Sequence, residues 1–142
     1  MLGKTAGGLY WMFRYLERSE NTARLAAAGQ RIALTRSASD DDWISVLETT
    51  ATYHSFRARK GSLTQDAAID WMLRDRDNPS SVLNVVEAAR SNARMVRTAI
   101  TREVWESVNE SWMVIKEALE KRVSERDLPQ VLTLVRHRAA HV

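Results

Sequence analysis

The chain of 142 residues contains no cysteine, which excludes a disulfide framework and any metal site built on thiolates. It has only 2 prolines and 5 glycines, so few residues interrupt regular secondary structure. No apolar run approaches the roughly 20 residues that a membrane-spanning helix needs. The first residues also lack the basic start and apolar run of a secretory signal. We therefore expect a soluble, cytoplasmic protein that does not interact with a membrane.

Charge of one sign is also scarce, because 21 basic and 18 acidic residues leave a formal net charge of only +3. This excess is too small for a domain that grips a nucleic-acid backbone, so we expect no nucleic-acid partner. The apolar content of 44% is enough for one globular domain with a core. The 5 tryptophans are expected in that core at helical spacing, where they would not stack bases.

The longest helical pattern runs from Leu9 to Leu34. One face carries an apolar stripe, and the opposite face carries charged and amide side chains. The stripe comprises Leu9, Met12, Leu16, Ala23, Ala27 and Leu34, and the polar face comprises Arg14, Glu17, Arg18 and Asn21. Because Trp11, Leu25 and Ile32 lie among the polar residues, we expect this second face to be packed as well. Its charges would then be partly withdrawn from water and would need partners.

Capping signals place the ends of the helices. Thr5 is the first plausible N-cap, but Gly8 stands where a capping box needs an acid or amide, so the first helix is expected to begin at Thr5 or Leu9. Ser37-Ala38-Ser39 should end it, and Ser39 should cap the second helix. The other predicted starts are Thr64, Asn78 as an N-cap before Pro79, and Leu128-Pro129.

Apolar residues recur at helical spacing through the remaining segments. A stripe from Val82 to Ile100 shifts phase near Thr101, and then a seam follows at alternating intervals of three and four residues. The seam comprises Trp105, Val108, Trp112, Ile115 and Leu119. No segment alternates with period two for long enough to form a strand. The sequence therefore predicts an all-α fold, an up-and-down helical bundle of about five or six helices.

Two blocks of sequence resemble the alpha-E family, a bacterial all-helical domain named for its Glu-Arg motif. The first block comprises Tyr10-Trp11, Arg14-Tyr15-Leu16-Glu17-Arg18 and Glu20-Asn21-Thr22-Ala23-Arg24. The second comprises Asp77-Asn78-Pro79-Ser80-Ser81-Val82, Ala88-Ala89-Arg90-Ser91-Asn92-Ala93-Arg94 and Trp105-Glu106-Ser107-Val108-Asn109. The resemblance covers nearly the whole chain. Because full-length members are longer, it implies that residues 1–142 form a single domain corresponding to an N-terminal half.

Two rows of side chains are the candidate binding residues. They are Arg14, Glu17, Arg18, Asn21 and Arg24 on the first helix, and Arg90, Arg94 and Arg97 on a later one. These groups could hold an anionic or peptide-like ligand, and Glu17 could serve as a general base. Alternatively, Glu17 compensates arginines of a neighbouring helix, or the later row covers apolar surface with its stems. We expect Glu17 to pair with at least one arginine of the later row.

Histidines give little support to metal chemistry. His137 and His141 are four residues apart on a terminal helix, but no acid flanks them as in a zinc protease motif. His54 continues an apolar face and is expected at the edge of the core. We therefore expect neither a metal nor a cofactor.

The resemblance implies which proteins the domain is associated with, but it does not imply a reaction. Relatives are encoded beside, or fused to, circularly permuted ATP-grasp proteins and transglutaminase-like proteins. The expected function is a non-catalytic partner or substrate-holding component of an ATP-grasp-linked system that ligates peptides or amides. One alternative is an enzyme acting on a peptide or amide with Glu17 as general base. Another is a purely structural module that forms a homodimer through apolar faces left open by a missing second half.

Overall fold

A computed structural model describes residues 2–35 and 40–142, and within these ranges every regular element is helical. The elements are α1 (Leu2–Thr35), α2 (Asp40–Thr49), α3 (Tyr53–Lys60), α4 (Gln65–Leu73), α5 (Val82–Met95), a 3₁₀ helix (Arg97–Ala99), α6 (Arg102–Ala118) and α7 (Leu128–His141). The all-α prediction is confirmed. The seven α-helices of the described ranges outnumber the five or six expected, because α2 ends at Thr49 and Tyr53–Lys60 forms a separate helix.

Helix α1 is the longest element, with 34 residues and a length of about 50 Å. It packs most extensively against α5 and α7, and it also contacts α2 and α4. The helix begins at Leu2, so the predicted start at Thr5 or Leu9 is wrong. Tertiary packing explains the difference, because Gly8 lies buried against Val96, and a Cβ on Gly8 would stand 2.5 Å from Val96 Cγ1.

Two apolar clusters form the core along α1. The smaller cluster surrounds Met12 and Leu16 of α1 and includes residues of α5 and α6. The larger cluster surrounds Ala23 and Ala26 of α1, and Phe56 and Trp71 pack edge to face within it at 5.5 Å between ring centroids. The stripe predicted on α1 is therefore buried along most of its length, and Leu34 at its end is exposed.

A second glycine of α1 allows the indole of α2 to enter the core. Trp43 is buried, and a Cβ on Gly29 would stand 2.7 Å from Trp43 Cη2. The contact fixes α2 against the C-terminal part of α1. The predicted roles of Ser37-Ala38-Ser39 as the end of the first helix, and of Ser39 as the cap of the second, lie outside the described residues.

Asn78 does not cap α5, contrary to the prediction from Asn78-Pro79. Ser81 is the N-cap, and its hydroxyl accepts a hydrogen bond from the Asn84 amide at 3.3 Å. The buried Asn78 side chain instead donates to the Trp71 carbonyl at 2.9 Å and accepts from the Ser80 amide at 3.0 Å. It therefore ties the end of α4 to the turn before α5. Local sequence could not separate this role from capping, because both use the same amide oxygen.

The apolar stripe that runs to Ile100 is split between two helices. Helix α5 ends at Met95, the 3₁₀ helix follows, and the Thr101 hydroxyl then caps α6 by accepting from the Val104 amide at 3.2 Å. This break accounts for the phase shift in the sequence. The predicted starts at Thr64 and Leu128-Pro129 are confirmed, and the Thr64 side chain caps α4.

Candidate binding site on the first helix

The polar residues of α1 form an outward-facing surface that we call the Glu-Arg face, defined by Arg14, Glu17, Arg18, Asn21 and Arg24. The prediction that its charges are partly withdrawn from water is wrong for Arg14 and Glu17, whereas Arg18 is half-buried. The side chains of Arg14 and Glu17 retain 50% and 63% of their exposure.

Trp11 suggested a second packed face, but its ring contacts aromatic side chains of α1 itself. The Trp11 ring lies 5.4 Å from Tyr10 and 5.6 Å from Tyr15, between centroids, and Trp11 remains 44% exposed. Neighbours on the same helix thus take the place of the expected second packing partner.

Ion pairs within α1 organise the Glu-Arg face. Arg14 Nη1 lies 3.1 Å from Glu17 Oε2, one turn away, and Arg24 Nη2 lies 2.7 Å from Glu20 Oε1. Exposed pairs at this spacing contribute only about 0.3–0.5 kcal/mol each. The motif therefore adds little to the stability of the bundle.

The predicted pairing of Glu17 with the later arginine row is not found in the described structure. The row faces α6 instead of the Glu-Arg face. Arg90 Nε donates to Asn109 Oδ1 at 2.8 Å, and its guanidinium lies 4.3 Å from the centroid of the Trp112 ring. Arg90 therefore joins α5 to α6 by a hydrogen bond and a cation–π contact.

The other two arginines of the row differ from each other. The Arg97 guanidinium lies 5.1 Å from the centroid of the Trp105 ring, so it also covers aromatic surface of α6. Arg97 lies in the 3₁₀ helix and not in α5. Arg94 is exposed and has no side-chain partner among the residues that the structure describes. The structure thus separates the two predicted rows and gives most of the second one a packing role.

Two concavities adjoin the Glu-Arg face. A small hollow of about 80 Å³ lies among Arg14, Glu17, Arg18 and Asn21. A larger cleft of about 370 Å³ separates α1 from the segments that follow α2 and precede α5. Its lining residues are Arg18, Asn21, Thr22, Leu25, Thr49, Thr50, Ala51 and Ser80. Only the residues on the α1 side of this cleft could be identified from the sequence.

The wall opposite α1 is shaped by a sharp turn at the end of α2. The Thr52 amide donates to the Leu47 carbonyl and the Ala51 amide to the Glu48 carbonyl, both at 2.9 Å, which is the Schellman pattern. Ala51 occupies its left-handed position with φ of 59°, where glycine is usual. The left-handed backbone costs an alanine roughly 1–2 kcal/mol. A sequence without glycine at this point gave no signal for the turn.

The remaining candidates lie elsewhere on the surface. His137 and His141 are exposed on α7, and among the described residues no three His, Asp or Glu side chains are grouped to hold a metal ion. His54 is exposed on α3 and not at the core edge as expected. Of the five tryptophans predicted in the core, Trp43 and Trp71 are buried and Trp105 and Trp112 are half-buried, but the prediction is wrong for Trp11, which is exposed. None of the described helices is both long and apolar enough to cross a membrane.

Comparison with known proteins places these features in a family. All of residues 1–142 match Alpha-E, described as a predicted alpha-helical domain with a conserved ER motif. No curated protein and no solved structure matches the chain. The chain has two Glu-Arg pairs, Glu17-Arg18 on α1 and Glu125-Arg126 before α7. Given this match over its whole length and its all-helical fold, the chain belongs to the Alpha-E family.

Proposed function

We propose that this domain is a non-catalytic binding module whose Glu-Arg face and adjoining aromatic residues dock a partner protein. The observation that supports it most is the exposure of the motif. Arg14 and Glu17 face solvent, and their ion pair contributes little to folding. Charged groups that folding does not need remain available for recognition.

Aromatic residues beside the motif favour protein docking. Tyr10 is 58% exposed, Phe13 is 48% exposed and Trp11 is 44% exposed, and all three lie within one turn of α1, just before Arg14. Tryptophan, tyrosine and arginine are enriched among the residues that contribute most to protein interfaces. Adjacent exposed apolar side chains also commonly mark an interaction surface. The face therefore combines aromatic anchors with arginine donors, which suits a partner carrying apolar pockets and carboxylates.

We propose that the partner is a circularly permuted ATP-grasp protein or a transglutaminase-like protein. We propose that the domain and this partner belong to a system that ligates peptides or amides. Family resemblance supports this part of the proposal. In this setting the domain holds the partner enzyme or its substrate in the cytoplasm.

Glu17 is less well suited to act as a general base. Its side chain is largely exposed, and the hollow beside it measures about 80 Å³. Small-molecule sites typically enclose about 300–1,000 Å³. A reacting amide would therefore remain in contact with water at this position, which favours a binding role for the motif over a catalytic one.

The test is a calorimetric titration of the domain with a circularly permuted ATP-grasp protein from the same organism. We expect Trp11→Ala to weaken binding by about 30-fold, the effect of removing an interface anchor worth about 2 kcal/mol. Met113→Ala is the matched control, because Met113 is an exposed apolar residue on α6. Equal affinities for Trp11→Ala and the parent chain would contradict the assigned surface.

Light scattering separates partner binding from self-association. A monomer that still binds the ATP-grasp protein is the expected result. A dimer that Trp11→Ala dissociates would instead assign the same face to a homodimer.

A further inference from the structure

The cleft between α1 and the turn after α2 has unused hydrogen-bond donors on its α1 wall. The Arg18 guanidinium lies 5.8 Å from the Tyr15 ring centroid and forms no hydrogen bond or ion pair with any described residue. The Asn21 side chain likewise has no hydrogen-bond partner within the described ranges. Both residues line the cleft. One wall therefore offers a guanidinium and a side-chain amide, three residues apart on the same face of α1.

The opposite wall offers acceptors. The Thr49 hydroxyl donates to the Ser45 carbonyl at 2.9 Å, so its proton is used and its lone pairs remain. The Thr50 hydroxyl donates to the Leu47 carbonyl at 2.9 Å and accepts from the Thr52 hydroxyl at 2.8 Å, so it is a less available acceptor than Thr49. The Thr49 hydroxyl can accept a hydrogen bond from an N–H donor of a ligand. The left-handed Ala51 ends α2 abruptly here, so both threonines lie beside the cleft.

Charge and shape narrow the class of ligand. The described lining residues include one guanidinium and no carboxylate, and Leu25 contributes an apolar surface. A single arginine matches a carboxylate through two parallel hydrogen bonds, whereas phosphate sites usually add further cations. The volume of about 370 Å³ lies within the range of small-ligand sites.

We infer that this cleft binds the carboxyl-terminal end of a peptide. Arg18 and Asn21 receive the carboxylate, Thr49 accepts from a peptide N–H, and Leu25 contacts an apolar terminal side chain. This ligand site goes beyond the partner-docking role. It shares Arg18 and Asn21 with the Glu-Arg face, but Trp11 and Arg14 do not line the cleft, so variants of those two residues test docking separately from peptide binding.

The test is an NMR titration of the whole chain with N-acetyl-alanyl-leucine, which has a free carboxylate, and with the same peptide as its terminal amide. We expect the free acid to shift the backbone amides of residues 18–25 and 49–51. The amide should bind at least about tenfold more weakly, because it loses the charge-assisted hydrogen bonds to Arg18. Acetate is expected to bind more weakly than the peptide, because it lacks the N–H and the apolar side chain.

Matched variants locate the site. Arg18→Gln should weaken binding of the free acid to the level of the terminal amide. Arg31→Gln removes the same charge from an exposed position about 20 Å farther along α1 and should leave binding within twofold of the parent. Circular dichroism checks that both variants keep the helical fold.

Several results would overturn the inference. Equal binding of acid and amide would remove the role of the carboxylate, and equal effects of the two arginine variants would remove the role of Arg18. Acetate or inorganic phosphate binding as tightly as the peptide would indicate a general anion site. Absence of any shift in residues 18–25 at saturating peptide would exclude the cleft.

Discussion

Replacing Glu17 by glutamine distinguishes an exposed recognition motif from a buried structural one. The substitution keeps the size of the side chain and removes its charge. In the structure it breaks one ion pair, Arg14 to Glu17, whose partners are 50% and 63% exposed. Pairs of this kind contribute about 0.3–0.5 kcal/mol, so we expect the free energy of unfolding to fall by at most about 0.5 kcal/mol. A carboxylate that compensated buried arginines would cost about 3–5 kcal/mol on removal.

Urea denaturation followed by tryptophan fluorescence measures this difference. The small loss should disappear in 1 M salt, because exposed charges are screened at that ionic strength. Leu47→Ala is the reference for a structural residue, since Leu47 is fully buried and its truncation should cost about 2–5 kcal/mol. If Glu17→Gln lowered the free energy of unfolding by about 3 kcal/mol, independently of salt, the reasoning would be refuted and Glu17 would be a structural residue of the bundle.

Four further substitutions test the packing of α1, the turn after α2 and an ion pair. Gly8→Ala should destabilise the fold by about 1–3 kcal/mol because the new Cβ would overlap the Val96 side chain, whereas Gly7→Ala, with nothing within 4 Å of its Cβ, should stabilise it by up to about 1 kcal/mol. Thermal unfolding of both variants checks this, and equal signs would contradict the assigned contact. Ala51→Gly relieves the left-handed backbone and should raise the free energy of unfolding by about 0.5–1 kcal/mol in urea; a decrease would contradict the turn geometry. Hydrogen bonding to Asp77 raises the pKa of Lys60, so this pair stabilises the fold below about pH 10 and loses its effect as pH rises through the folded-state pKa. The stability difference between the parent and Lys60→Gln should therefore shrink between pH 9 and pH 12, and a constant difference would count against the pair.

Helices with strong local signals could be predicted from sequence. Thr64 caps α4, and Leu128-Pro129 begins α7, because capping hydroxyls and a proline in the first turn act on their own helix. The seam of α6 was recognisable because its spacing reflects one helix lying along another. These features depend on residues a few positions apart, which is the range that sequence patterns report.

The exposure of the Glu-Arg face could not be predicted in the same way. Trp11 among polar residues indicates either a buried face or a recognition surface, and the two have the same periodicity. Only the structure shows that neighbours on α1 accommodate the ring and leave it 44% exposed. The prediction of a buried face failed because the burial of Trp11 depends on where other helices lie, which the periodicity of α1 does not show.

The cleft could not be predicted from the sequence, for a related reason. Its far wall comes from a turn held by backbone hydrogen bonds of Ala51 and Thr52, and alanine carries no sequence signal for a left-handed residue. The pairing of Glu17 with the row that includes Arg90 failed because helical spacing gives the face of a row but not the helix that it meets. Arg90 meets α6.

Hydroxyl-radical footprinting of Trp11, with the free chain and with the ATP-grasp partner present, tests whether the Glu-Arg face is exposed and whether it docks the partner. The fully buried Trp71 provides an internal reference for an unreactive indole. We expect Trp11 to be oxidised in the free chain far faster than Trp71 and to become protected when the partner binds. Equal protection of both tryptophans in the free chain would show that the face is buried, and undiminished oxidation of Trp11 in the complex would show that the partner does not bind there.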